Sequence, residues 1–183
     1  MTAWIQTYTS VAWDLEAPRA EDVRAVDIAH SLARLARFTG HTRTTGIYSV
    51  AQHSLAVMRR VIALGGPPPV VLGGLLHDAH EAYLGDVSSP LGSLLPGIRE
   101  LKVRHDIAIA EWAGISVDEL WHPLVRQADA EALATEARDL LGPLPRPWAT
   151  GLAPWEERTC TTGGIGLAVS TFAAELRARV PGA

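Results

Sequence analysis

The sequence predicts an all-α fold in a single domain, and three observations predict it. Apolar residues recur at spacings of three and four in several separate stretches, glycine or proline closes most of those stretches, and no useful length of alternating apolar and polar residues marks a strand. Length agrees, since 183 residues suit one compact core. Apolar types make up 48% of the chain and charged types 20%, which excludes a disordered chain and requires a buried interior. There is no internal repeat.

Residues 1 to 26 have little periodicity and contain Trp4, Trp13 and Pro18, so they read as an extended or hairpin-like lead over one side of the core. A first helix is expected from Asp27 as its N-cap, through Ile28, Leu32, Leu35 and Ala36 to about Phe38, with Gly40 as its stop. Ser49 caps a second helix bearing Val50, Leu55, Val57, Met58, Val61 and Ile62, which ends before Gly65, Gly66 and the proline triplet. Val70 to Tyr83 reads as a third. Its Val71, Leu72, Leu75, Leu76, Ala79 and Ala82 leave almost no polar face before the last turns, so it should be central and buried.

Pro90 to Pro96 reads as a loop, and Ile98, Leu101, His105, Ala108 and Trp112 stripe a fourth helix ended by Gly114. Ser116 or Asp118 starts further helical sequence that reaches Leu141, with an interruption at Pro123. The stretch from 142 to 154 is rich in proline and glycine and carries Trp148, a long loop able to fold over a site, and 166 to 180 is a terminal helix.

Sixteen basic residues against twenty acidic ones give a net charge of −4 without a block of like charges, which excludes a nucleic-acid polymer as partner. Lysine occurs once, at Lys102, among fifteen arginines, a bias that reads as compositional. The longest uncharged run, Val61 to Leu76, is broken by three prolines and four glycines and cannot cross a bilayer. Met1 to Tyr8 has no secretory pattern, and Cys160, the single cysteine, allows no intrachain disulfide and lacks a histidine at a useful spacing. A cytoplasmic protein is expected.

The chemistry concentrates in His77-Asp78-Ala-His80-Glu81-Ala-Tyr-Leu-Gly-Asp86. Four ionisable side chains crowd a helix that is otherwise apolar, where uncompensated charge costs several kcal/mol. A bound divalent ion compensates them, since imidazole nitrogen and carboxylate oxygen suit zinc, manganese, iron, cobalt or magnesium. His53 on the preceding helix supplies a third ligand when the two helices pack antiparallel, and Asp129, set among alanines and a leucine, supplies a fourth. A second arrangement pairs His77 and His80, three apart, on one ion. Glu81, one turn after His77, is placed to act as a general base. His105-Asp106 is the same dipeptide on an amphipathic helix and is expected to be solvated or capped, and Arg59-Arg60 to be a solvated face. The tryptophans are assigned to the core, with Trp148 and Trp155 also able to close over a base.

The set His53, His77-Asp78, Glu81, Gly85-Asp86 and Asp129 resembles the HD-domain metal-dependent phosphohydrolases. The stretches from Tyr48 to Ser54 and from Leu75 to Pro90 and the late Asp129 all match, and the likeness spans about residues 27 to 140. It is closest to the small single-domain branch that includes bacterial 5'-deoxynucleotidases and phage deoxyadenosine triphosphate hydrolases. That resemblance implies one divalent ion on His53, His77, Asp78 and Asp129, with Glu81 and Asp86 handling the attacking water and the leaving group. It places Arg37 and Phe38 against phosphate and sugar, with Phe38 where that branch has a tryptophan, so that an aromatic face is kept and the indole donor lost. His41, just after them, is a further substrate contact. The implied reaction is hydrolysis of a deoxynucleoside 5'-monophosphate to nucleoside and phosphate, with self-association into a homo-oligomer. A deoxynucleoside triphosphate hydrolase and a domain that binds nucleotide without cleaving it are the alternatives.

Overall fold

The computed structural model describes residues 3–146, 148, 151–159 and 163–182. Cys160 lies outside them. The fold is all-α, with a two-stranded hairpin as its only sheet among the described residues.

The lead is a hairpin. Strands β1 (Trp4–Gln6) and β2 (Ala12–Asp14) pair antiparallel with Ile5 opposite Trp13. The hairpin sinks Trp13 fully into the core, where its ring stacks on Tyr83 at 3.8 Å. Asp27 pins the hairpin: its carboxylate accepts from the Thr9 backbone at 2.7 Å and from the Thr9 hydroxyl at 2.8 Å. Asp27 is therefore inside the first turn of helix α1 (Ala25–Leu32), with Arg24 as the N-cap, and the helix is shorter than its apolar stripe suggests. Leu35 to Arg37 leave the helix to pair with Tyr48 to Val50 in a bridge, with Arg37 N–H donating to the Tyr48 carbonyl at 2.9 Å and Val50 N–H to Leu35 at 3.0 Å. Arg37–Gly40 then forms a 3-10 turn in which Phe38 (φ 55°) and Thr39 (φ 53°) are left-handed.

Ser49 does cap α2 (Val50–Ala63), in a capping box with Gln52. Helix α3 (Pro68–Leu76) is buried from Val70 onward, as its lack of a polar face requires. The expected helix to Tyr83 breaks at His77. From there the backbone bonds tighten to a three-residue step, Ala79 to Leu76 and Glu81 to Asp78, before the short helix α4 (Glu81–Leu84). The loop after it contains one turn of helix, α5 (Ser89–Gly92).

Helix α6 (Ile98–Ala113) ends on left-handed Gly114, and α7 (Val117–Leu120) is capped by the Ser116 hydroxyl. Helix α8 (Pro123–Leu140) has proline in its first turn and accepts an N-cap from His122, whose Nδ1 takes the Leu124 N–H. Helix α9 (Gly164–Arg179) closes the described chain. The core is one cluster: α2 and α3 pack side by side, α8 lies across both, and α9 packs on α1 and α2. Among the described residues no helix is long and apolar enough to cross a membrane.

Candidate metal centre

Four donor atoms from three helical segments converge where α2, α8 and the end of α3 meet. His53 Nε2 lies 3.1 Å from Asp129 Oδ1, 3.3 Å from His77 Nε2 and 3.5 Å from Asp78 Oδ2. His77 Nε2 lies 3.3 Å from Asp78 Oδ2 and 3.9 Å from Asp129 Oδ1. An ion held about 2.1 Å from each donor sets its ligands roughly 3 to 4 Å apart; His53, His77 and Asp129 offer donor atoms within 4.8 Å of one another, and Asp78 Oδ2 lies beside both imidazoles, so these residues could hold one cation. The break after Leu76 is what lets adjacent His77 and Asp78 share the point, since a continuous α-helix would splay neighbours by about 100°.

Both imidazoles are held with Nε2 inward. His53 Nδ1 bonds Glu136 Oε1 at 2.6 Å, and His77 Nδ1 bonds the Gly74 carbonyl at 2.9 Å. Such partners fix ring orientation and tautomer in metal sites. Glu136 is itself fully engaged, accepting from the Tyr48 hydroxyl at 2.9 Å and from Arg37 Nη2 at 3.2 Å. Arg37 Nη1 stands 3.6 Å from Asp78 Oδ2, and its buried Nε has no hydrogen-bond partner among the described residues.

The charges make the same demand as the distances. Asp78 is held well below the usual carboxylate range: burial pushes it up, but His77, His53 and Arg37 pull it down further. Asp129 and Glu136 are lowered too, against burial, chiefly by His53. Three carboxylates and one guanidinium therefore leave the cluster two positive charges short. Without an ion, protons fill the gap. Burial and the Arg37 charge lower His53, yet Glu136 and Asp129 overcome both and raise it to about 10; His77 is raised against burial by Asp78. A divalent cation supplies that missing charge, so the donor set and its electrostatics both fit one.

The centre forms the floor of a cavity of about 750 Å³. Asp78 and Asp129 open into it, and its wall carries Glu81, Asp86, Arg37, Phe38 and His41, all of which the sequence singled out. Glu81 is buried and its Oε2 has no hydrogen-bond partner among the described residues; burial first, then Asp78 and Asp86, pushes its carboxyl up to about 9. Burial likewise raises Asp86, with Arg37 opposing and Asp78 adding to the rise. The left-handed pair Phe38-Thr39 borders this cavity, a backbone conformation that costs about 1 kcal/mol or more per residue and recurs at ligand sites.

The chain is 34% identical over 138 residues to the uncharacterized protein YfdR of Escherichia coli, an alignment spanning 75% of this chain and 72% of YfdR. It belongs to the YfdR family. An uncharacterized protein of Rhodobacter capsulatus is also 34% identical, over 147 residues, spanning 76% of this chain and 74% of that relative. No family model matches the chain.

Several readings are corrected in this YfdR-family chain. His80 does not pair with His77 on one ion: its Nδ1 bonds Asp106 Oδ1 of α6 at 2.9 Å, and the Trp121 indole donates to the other oxygen at 3.0 Å. One ring nitrogen of His80 still comes within 4.8 Å of carboxylate oxygens of Asp78 and Glu81. His105 and Asp106 are buried rather than solvated. Arg60 is not free either, forming an ion pair with Glu131 and standing over Trp155. Trp148 lines the cavity, 6.0 Å from Phe38, whereas Trp155 packs against the core and donates to Glu131 at 3.0 Å. Asp129, expected on a buried face, keeps 44% of its side chain exposed, toward the cavity. Glu136 was missed. Its signal was present: it follows Asp129 by seven residues, two helical turns, and so shares its face in an alanine-rich helix.

Proposed function

We propose that this chain is a divalent-metal-dependent phosphohydrolase that converts a deoxynucleoside 5'-monophosphate to nucleoside and phosphate. The observation that carries this reading is the convergence of His53, His77, Asp78 and Asp129 on one point at the floor of a cavity walled by carboxyl groups, an arginine and an aromatic ring. The resemblance to HD-domain phosphohydrolases supports it at the same positions.

A divalent ion there, with manganese, cobalt, zinc, iron and magnesium as candidates, would supply Lewis-acid polarisation of a phosphate oxygen and acidify a water. Burial first, then the charges of Asp78 and Asp86, holds a proton on Glu81. A cation at Asp78 would oppose that push, and the Glu81 carboxylate would then take the proton of a water in line with phosphorus. The water oxygen bonds to phosphorus and the bond to the 5' oxygen breaks. Asp86, raised by burial, gives that oxygen its proton or positions a water that does. Arg37, braced between Glu136 and Asp78, presents its guanidinium to the equatorial oxygens. Phe38 would lie against the sugar, and His41, on the wall of the same cavity, would be a further substrate contact. The substrate is a small nucleotide rather than a nucleic-acid polymer, the protein works in the cytoplasm, and it self-associates.

The experiment is a phosphate-release screen of deoxynucleoside mono-, di- and triphosphates with manganese, cobalt or magnesium, resolving phosphate from pyrophosphate and triphosphate. Monophosphates should be cleaved, Asp78→Ala should lose both metal and turnover, and Glu81→Ala should keep metal and lose turnover. Turnover near wild type in both variants overturns the assignment. Release of triphosphate alone moves the substrate to the nucleoside triphosphates, and binding without any release makes the domain non-catalytic.

A further inference from the structure

The cavity brings together four carboxyl groups, Asp78, Glu81, Asp86 and Asp129, and two side-chain cations, Arg37 and Lys102. A phosphate entering it meets more negative than positive charge, so the placement of each cation decides where phosphate oxygens can rest. Arg37 is already matched, with Nη2 on Glu136 and Nη1 facing Asp78. Lys102 is not. It projects from the second turn of α6, is half-buried, lines the cavity, and has no ion pair or hydrogen bond among the described residues. Its field reaches Glu81 and Asp86, the two cavity acids that are not among the four converging donors.

The arginine bias accounts for fifteen of the sixteen basic residues and leaves the position of the one lysine unexplained. A compact ammonium on a flexible stem suits a ligand that arrives and leaves, whereas a planar guanidinium in this acidic wall would settle bidentate on a carboxylate.

We infer that Lys102 is a substrate-binding residue whose ammonium takes the phosphate oxygens on the Glu81–Asp86 side of the cavity. The inference rests on the phosphohydrolase reading and adds a contact to it. Lys102 supplies the positive charge that lets a dianionic phosphate lie beside two acids, and Arg37, held by its own carboxylates, does not have to move.

The test is calorimetric titration of inorganic phosphate into the manganese-loaded full chain, for wild type, Lys102→Met, Lys102→Arg and Arg99→Met. Arg99 is exposed on the same helix outside the cavity and controls for net charge. Loss of a charge-assisted contact should weaken phosphate binding about tenfold or more in Lys102→Met. Arg99→Met should stay within about twofold of wild type, and Lys102→Arg should fall between. With a deoxynucleoside 5'-monophosphate, KM should rise more than kcat falls. Unchanged phosphate affinity in Lys102→Met overturns the inference and leaves the hydrolase reading standing if turnover persists. Equal weakening in Arg99→Met overturns it as a general field effect. A wild-type protein that binds no phosphate overturns both. Lys102→Gln carries the same titration should the methionine variant not fold.

Discussion

Glu136 is the residue on which the geometry of the centre turns, and its replacement separates orientation from ligation. The side chain is 1% exposed and accepts three hydrogen bonds: from Tyr48 at 2.9 Å, from Arg37 at 3.2 Å and from the His53 ring at 2.6 Å. Glu136→Ala takes this acceptor away from the buried His53 ring nitrogen and from Arg37 Nη2. One such donor costs about 1 to 3 kcal/mol, and a broken buried ion pair about 3 to 5 kcal/mol. Against a total stability of about 5 to 15 kcal/mol for a domain, that loss is large enough to unfold much of the protein.

Glu136→Gln is the informative variant. The amide keeps the shape and one acceptor oxygen but removes the charge that fixes His53 with its Nδ1 proton outward. No metal ligand changes. Losing such an outer partner lowers metal affinity about 10- to 100-fold. The assay is a cobalt or manganese titration at fixed pH, with urea unfolding of the ion-free protein as the control for folding. A Glu136→Gln protein that folds and binds metal as tightly as wild type refutes the claim that Glu136 orients His53.

Two further outcomes are expected. In the ion-free protein Glu81 titrates near 9, against 4.5 for an ordinary glutamate, so between those values the native state retains a proton that the unfolded chain has released. Stability from this group is therefore full below about 4.5 and declines as pH rises toward 9, by at most about 1.4 kcal/mol per pH unit. Wild type in chelator should lose ground to Glu81→Gln across that range in urea melts, and parallel curves would refute the buried, repelled carboxyl. At Gly73 a Cβ would meet the Glu119 carbonyl oxygen at 2.2 Å, backbone that cannot step aside without moving α7. Gly73→Ala should destabilise by about 1 to 3 kcal/mol net, the clash outweighing the helix-propensity gain of about 1 kcal/mol, and an unchanged urea midpoint would deny the close approach of α3 and α7.

The helices were legible where the local code is strong. Ser49 before α2, Gly114 after α6 and Pro123 at the start of α8 each set a boundary by satisfying or removing terminal backbone groups, and the chain obeys all three. The errors arise where tertiary contacts override periodicity. Leu35 and Ala36 continue the apolar stripe of α1, yet the backbone leaves the helix there to bridge Tyr48 to Val50, and that departure carries Arg37 to Glu136. The stripe records burial, which a bridge satisfies as well as a helix does.

The paired dipeptides show why the site was only partly legible. His77-Asp78 and His105-Asp106 have identical local chemistry, and neighbouring charges suggested that only the first was buried; in fact His105 is 0% and Asp106 5% exposed. What distinguishes them is the partner each acid finds from outside its own helix. Asp106 meets the His80 imidazole and the Trp121 indole, so that each of its carboxyl oxygens has a hydrogen-bond partner. Asp78 meets His53, His77 and Arg37 together with two other carboxylates, Asp129 and Glu136, in a cluster that protein groups leave short of positive charge. The sum of charges in a buried cluster, more than the burial of any one dipeptide, separates a structural pair from a cation site, and that sum exists only once segments up to 99 residues apart have met.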